Sequence, residues 1–417
     1  MKVFKFGGAS IKSAEAIRNL LSILKQENGQ LVIVISALGK TTNALEELLY
    51  NAVNQSDKLH DNFESLKQSH FQIANGLLKN DSPTLLKLNA LFTELWDAIS
   101  LTGSNELNEA YDQLVAYGEL LSTCLISGWL NEQGYANLWI DIRQVLITDS
   151  WHRNARINWD ETATKIPAAF QLQDNRVVIT QGFIGSSKEG KTTTLGREGS
   201  DYTAAALAYL FNAESMTVWK DVAGIYTADP AEMKDAALLS ELSYFEAIEL
   251  SFYGAKIIHP KTIKPLQNKN IPLFVKSFLN PDLKGTIIKN FPGRMSLPPI
   301  YIFKKNQTLI SISPKDFSFI TEDHLSKIFH IFADKGLKIN VSENSALSFS
   351  VCVDTDSRTM EEVIGLLKKE YFVKFNEGLS LMTIRHYTED AIARLTKGNH
   401  IVLEQRNRST VRMVVKD

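Results

Sequence analysis

The apolar positions change period several times along the opening third of the chain. Val3, Phe4 and Phe6 form a short β-type run that Gly7 and Gly8 stop. Ala14, Ile17, Leu20, Leu21 and Leu24 then recur at the spacing of an amphipathic helix, predicted over Ser13–Leu24. Leu31–Ala37 (LVIVISA) is continuously apolar and β-branched, as a strand covered on both faces would be. Strand, helix and strand in so short a span make a βαβ unit. The pattern predicts an α/β fold with a mostly parallel central sheet.

From about Asn43 to Leu130 the character shifts. Leu45, Leu48, Leu49 and Val53, then Leu85, Leu88, Leu91, Phe92, Leu95 and Trp96, keep helical spacing, so a helical block interrupts the α/β pattern. Strands return at Asn137–Ile142, Arg176–Ile184 and Ser215–Trp219, with a helix over Asp201–Leu210. The stretch Asn290–Pro299 gathers three of the eleven prolines and marks a domain boundary. Beyond it lie eight short alternating strands with helices at Asp323–Lys335, Arg358–Lys369 and Thr388–Leu395. That is an α+β module, or two intertwined ones, of the small βαββαβ kind.

Composition narrows the function classes. With 417 residues, two or three domains of roughly 150 residues each are expected. Apolar residues make up 44% and the net charge is −2, which gives no support to a nucleic-acid or membrane-surface partner. No apolar run approaches the ~20 residues of a membrane-spanning helix, and the first residues carry no signal-like apolar core. The two cysteines, Cys124 and Cys352, exclude a disulfide scaffold and a cysteine-based zinc site. A cytoplasmic location is expected.

Two glycine loops compete for attention. Gly185–Thr192 (GSSKEGKT) fits the phosphate-binding expression GxxxxGK[ST], but that motif works only if a helix starts at once. Here Thr192, Thr193 and Thr194 follow, so a β-hairpin tip is expected instead. In Thr194–Leu210, Ser200 reads as a helix N-cap before an alanine-rich helix. Arg197 offers a planar fork for a carboxylate or phosphate, and Asp201 sits in the first helical turn. Standing alone, the pair could equally be an exposed arginine and a dipole-compensating carboxylate. Lys5, at the end of the first strand beside Gly7 and Gly8, is either a solvent-facing edge residue or a cation for a transferring phosphoryl group. Glu119 stands among residues of a buried helix, where a carboxylate needs a partner. A helix-end salt bridge or an ammonium group on a ligand would provide one.

Taken together and in order, these segments resemble the aspartate kinases of the amino-acid kinase fold family. The resemblance covers essentially the whole chain. It rests on KFGGAS (Lys5–Ser10), SALGKTTN (Ser36–Asn43), Gly118-Glu119, TLGREGSD (Thr194–Asp201), WKDVAGIYTADP (Trp219–Pro230) and GAKIIHP (Gly254–Pro260). It implies ATP-dependent phosphorylation of the L-aspartate β-carboxylate, the entry to lysine, threonine and methionine biosynthesis, with ATP and Mg2+ required. By the same resemblance Lys5 stabilises the transferred group and Asp201 orients Lys5. Ser36, Thr42, Glu119 and Arg197 hold aspartate, with Arg197 on the α-carboxylate and Glu119 on the ammonium. Gly7, Gly8, Lys220, Asp221, Tyr226 and Lys256 serve ATP. One departure stands out: the family's arginine after the Asp-Pro pair is replaced by Ala231.

The resemblance also implies a catalytic domain over 1–292 and a regulatory region of paired ACT modules over 299–417. One module, at about 307–377, is inserted into an outer one formed by 300–305 plus 379–417. The outer module is expected to be truncated, lacking its last helix and strand, and so to leave a sheet edge for a homodimer through the ACT domains. An amino-acid effector near Asn340 and Ser345 is implied, lysine first, although Asn340 and Ala346 stand where lysine-sensitive relatives tend to carry acidic residues. Two other readings are a kinase of the same fold acting on a different small acid and a non-catalytic amino-acid sensor. Glu119 with Arg197 argues against the first, and Lys5 with Asp201 against the second.

Overall fold

Strand β1 (Lys2–Phe6) is central to the larger of two compact units in the computed structural model, which describes residues 1–102, 106–172, 175–255, 258–293, 295–316 and 318–416. This unit comprises Met1–Ile225, Leu238–Ile248 and Ile257–Gly293. A 3-10 turn at Gly8–Ile11 leads from β1 to helix α1 (Ala14–Leu24), whose N-cap Ser13 accepts from the Ala16 N–H at 3.2 Å. Strand β2 (Leu31–Ile35) follows, with all five residues buried. The helical block contains α2 (Thr41–Val53), α3 (Leu59–Asn75), α4 (Pro83–Ser100) and α5 (Leu107–Glu132).

After the block come β3 (Leu138–Ile140), β4 (Ile147–Thr148), α6 (Trp159–Phe170), β5 (Val177–Gln181), β6 (Ile184–Ser187) and β7 (Thr192–Thr194). Then follow α7 (Gly199–Leu210), β8 (Ser215–Lys220), β9 (Ile225–Tyr226), β10 (Leu238–Leu239) and β11 (Glu241–Ser243). Helices α8 (Tyr244–Tyr253) and α9 (Pro260–Asn268) and strands β12 (Leu273–Ser277) and β13 (Thr286–Lys289) follow, with Tyr226 of β9 and α8 from Glu249 onward counted in the smaller unit.

The main sheet has the order β11-β13-β12-β8-β1-β2-β5-β3, and β12 with β13 is its one antiparallel pair. The expected parallel sheet is therefore present. The chain winds outward through β2 on one side of β1 and through β8 on the other. That reversal puts a switch point, and hence a crevice, at the carboxyl end of β1. Phe4, Phe6, Trp219 and Phe278 interlock beneath it with centroid spacings of 5.6–6.3 Å.

The phosphate-loop lookalike is a hairpin. β6 and β7 pair antiparallel from Ile184↔Thr194 to Ser186↔Thr192, and Gly190 supplies the left-handed turn at φ +82°. Ser200 is not the N-cap of α7. Glu198, at φ +54°, holds that position, because its carboxylate accepts the His259 N–H at 2.8 Å and fixes the turn early.

The smaller unit comprises Tyr226–Ala237, Glu249–Lys256 and Arg294–Asp417. Here β14 (Ile300–Pro314) and β17 (Tyr371–Arg385) are fifteen-residue strands where the sequence pattern suggested pairs of short ones. With α10 (Glu322–Asp334), β15 (Ile339–Asn344), β16 (Phe349–Asp354), α11 (Ser357–Glu370), α12 (Glu389–Thr396), β18 (His400–Arg406) and β19 (Thr410–Lys416) they build one six-stranded sheet. Its order is β15-β16-β14-β17-β19-β18. Register shifts between Lys304, Gln307 and Leu309 mark where one half-sheet passes into the other.

In the outer half Ile300–Lys304 pairs antiparallel with Leu381–Arg385, which gives four strands and, among the described residues, the single helix α12. Both halves have their own apolar core: Ile310, Ile328, Phe332, Val351, Val363 and Leu367 in one, Met382, Ile384, Ile392, Val411 and Met413 in the other.

Candidate active site

The carboxyl ends of β1 and β2, the middle of α5 and the start of α7 converge on one cleft of about 480 Å³. Lys5 points into it, paired with Asp201 at 2.6 Å from Nζ to Oδ1. The lysine side chain is 12% exposed, so the solvent-facing reading of Lys5 falls. Lys5 stands on a central strand and Asp201 in the first turn of α7, so regular structure holds both ends of the pair.

Glu119 lies mid-helix in α5 and is 3% exposed. Among the described residues no helix-end salt bridge holds it. One oxygen, Oε1, accepts the Ala37 N–H at 3.2 Å, while Oε2 is buried without a hydrogen-bond partner. Burial pushes its carboxyl up to about 8, only partly offset by the Ala37 N–H and the Lys5 charge. Gly118 makes this seat: a Cβ there would stand 2.9 Å from the Ala37 Cβ, so only glycine lets α5 close on the strand end. A buried carboxyl oxygen with nothing to bind is a place for a cationic donor.

Ser36, Thr42, Arg197 and Gly8 line the same cleft. Arg197 rises from the loop before α7, and among the described residues no anionic partner holds its guanidinium. Within one cavity there are thus a buried acid, an unengaged guanidinium and a lysine held by an aspartate.

A sequence model of the amino acid kinase family matches residues 1–277. Lysine-sensitive aspartokinase 3 of Escherichia coli is 32% identical over 400 residues, covering 92% of this chain and 86% of its own. The chain belongs to the amino acid kinase family, among the aspartokinases. Aspartokinase 1 of Arabidopsis thaliana is 30% identical across 96% of this chain and 73% of the plant protein. The crystal structure of E. coli aspartokinase III in complex with aspartate and ADP (R-state) superposes with a TM-score of 0.84 at 27% identity, covering 100% of this chain and 96% of that one. The fold is accordingly the amino-acid kinase fold with C-terminal ACT modules.

Among the residues that the aspartokinase resemblance singled out, Lys5, Gly8, Ser36, Thr42, Glu119, Arg197 and Asp201 meet in the cleft. Gly7 precedes the 3-10 turn at the end of β1. Lys220 closes β8, the parallel neighbour of β1, and its carbonyl accepts the Phe278 N–H at 2.7 Å; Asp221 is exposed just beyond. Tyr226 is counted with the smaller unit, and Lys256 lies outside the described residues. Asn340 and Ser345 belong to different surroundings in that unit. Asn340 is buried, donating to Gln307 at 2.8 Å and Asp354 at 3.0 Å and accepting from Lys304 at 2.9 Å. Ser345 sits in an exposed turn bonded to Ser348.

Sequence reasoning passed over Tyr111, Asp112, His152 and Arg153. Asp112 is fully buried and is held by Thr194 Oγ1 at 2.6 Å, His152 Nδ1 at 2.8 Å and the Arg153 N–H at 3.1 Å. Burial raises its pKa, against the pull of these donors. One signal was available: Asp112 stands two turns before Glu119, on the same face of α5.

Proposed function

We propose that this chain transfers the γ-phosphoryl group of ATP to the β-carboxylate of L-aspartate, giving 4-phospho-L-aspartate and ADP. The observation that carries the reading is the unpartnered, buried Oε2 of Glu119 sharing a cleft with Arg197 and with the Lys5–Asp201 pair. An α-amino acid supplies what each lacks. Its ammonium satisfies Glu119, and its α-carboxylate takes the fork of Arg197. Ser36 and Thr42 add hydroxyl contacts. A side-chain carboxylate one carbon further on is then presented to the nucleotide.

The carboxylate oxygen attacks the γ-phosphorus while the bond to the β,γ-bridging oxygen breaks and ADP leaves with the electron pair. No proton is transferred, so no protein base is required. Lys5, kept in place by Asp201, offsets charge on the moving phosphoryl group. Gly7, Gly8, Lys220, Asp221, Tyr226 and Lys256 are assigned to ATP. Among the described residues no cluster of three or more His, Cys, Asp or Glu is built to cage a metal. Magnesium would arrive on the ATP phosphates, where it would neutralise charge without needing such a cage.

The same reading takes residues 1–292 as the catalytic domain and 299–417 as the regulatory region. It includes a homodimer through the ACT sheet, whose β15 and β18 are unpaired edges, and an amino-acid effector. A similar solved structure is that of E. coli aspartokinase III in complex with lysine and aspartate (T-state), which makes lysine the first effector to try here. No helix among the described residues is long and apolar enough to cross a membrane, and a cytoplasmic location is proposed. The deciding experiment traps acyl phosphate with hydroxylamine, using ATP and a panel of amino acids. A hydroxamate from L-aspartate is expected; none from L-aspartate would end the proposal.

A further inference from the structure

Arg153 holds a backbone conformation that side chains avoid. Its φ is +64°, in the left-handed region, and it is not a glycine. Such strain persists only where the surroundings impose it, and here they do. The buried Asp112 carboxylate accepts the Arg153 N–H with both oxygens at 3.1 Å and the neighbouring His152 ring at 2.8 Å. Thr194, on β7, fixes the same carboxylate from the other side at 2.6 Å.

The side chain is directed as carefully as the backbone. The Arg153 guanidinium lies 4.0 Å from the centre of the Tyr111 ring. Tyr111 is in turn anchored, its hydroxyl donating to Glu46 at 2.9 Å. Both residues line the cleft that holds Lys5, Glu119 and Arg197. The loops of the two arginines also touch. Gly196, at φ +77°, packs so closely that a Cβ there would stand 2.9 Å from the Arg153 carbonyl oxygen. Among the described residues no carboxylate neutralises the Arg153 guanidinium. A strained, stacked and unpaired cation facing a substrate cleft has a ligand charge to meet.

We propose that Arg153 is a further substrate-binding residue, its guanidinium pairing with a carboxylate of the bound amino acid beside Arg197. The inference rests on the aspartate kinase reading above. It makes the cleft selective for a dianionic side of the substrate: two guanidinia and one lysine face two carboxylates, while Glu119 alone faces the ammonium. Asp112 and His152 act through Arg153 as positioning residues.

The test is steady-state kinetics of the full chain with Arg153→Gly and Arg153→Lys. Glycine accepts the left-handed backbone without strain, so this variant removes the guanidinium and leaves the loop at ease. The Michaelis constant for L-aspartate should rise about tenfold or more, with that for ATP and the thermal midpoint little changed. Arg153→Lys should restore only part of the loss, since an ammonium lacks the planar fork. An aspartate Michaelis constant within twofold of the parent in Arg153→Gly would overturn the inference alone, provided the parent phosphorylates aspartate. Equal losses for ATP and aspartate would also overturn it, because they would mark a structural role. A parent enzyme inactive on aspartate would remove the underlying reading and this inference together.

Discussion

Glu119 in the larger unit and Asn340 in the smaller one are both buried polar side chains that the family resemblance marked as ligand contacts, yet they meet opposite surroundings. Glu119 has one oxygen satisfied and one orphaned beside an open cleft. Asn340 spends its amide on Gln307 and Asp354 and its carbonyl on Lys304, all within the sheet. Burying an unmet polar atom costs about 1–3 kcal/mol, whereas a satisfied one is close to neutral. The first arrangement leaves a polar atom open beside the cleft; the second is complete without a ligand. Residue type alone does not separate them.

Four measurements bear on that contrast. The largest effect is expected from Lys5→Ala, which removes a charge partner of the transition state and should lower kcat by about 10²–10³-fold. The aspartate Michaelis constant should move far less; a kcat within threefold of the parent would dismiss the role. Next, Arg197→Lys should weaken aspartate binding by roughly 1.5–3 kcal/mol and spare ATP affinity measured without aspartate. Collapse of ATP binding instead would move Arg197 to the nucleotide side. Third, Asn340→Ala should destabilise the chain to denaturant by about 1–3 kcal/mol, because Lys304, Gln307 and Asp354 lose a shared partner. Aspartate kinetics should hold, and a selective kinetic defect with unchanged stability would make Asn340 a ligand contact after all.

The smallest effect is a proton. With its carboxyl raised to about 8, Glu119 is mostly neutral in the empty cleft near neutral pH. An ammonium ligand requires the ionised form, so binding releases a proton, and aspartate affinity should climb by up to ~tenfold per pH unit, levelling above about 8. Calorimetry in buffers of different ionisation enthalpy reads this directly. Equal heats in all buffers would mean that Glu119 is already charged.

Much of the first unit was legible in the chain because its signals are local. The continuous apolar run at Leu31–Ala37 gave β2, the three threonines after Lys191 ruled out a helix, and the Lys5 to Asp201 motifs landed in one cleft. What escaped depends on distant partners. The start of α7 is fixed by a hydrogen bond from His259, and the conformation of Arg153 by Asp112, neither of which spacing reveals. The long strands β14 and β17 read as broken because Asn306 and Gly378, both at positive φ, look like turn residues although the ladder runs past them.

That ladder has an architectural consequence. Gln307 faces Leu379 across the β14–β17 pair, and Lys304 faces Leu381, so the inserted segment leaves and re-enters the outer half-sheet at adjacent rungs. Geometrically it is the elaborated tip of a hairpin whose stem is Ile300–Lys304 with Leu381–Arg385. A short two-residue turn could bridge the same gap, leaving the outer strands in order with their own apolar core. The inserted segment is thus separable in topology but not in packing: Leu309, Val341 and Cys352 share a buried cluster with Leu379, Leu381, Leu403 and Val414, so exchanging it means refilling that seam.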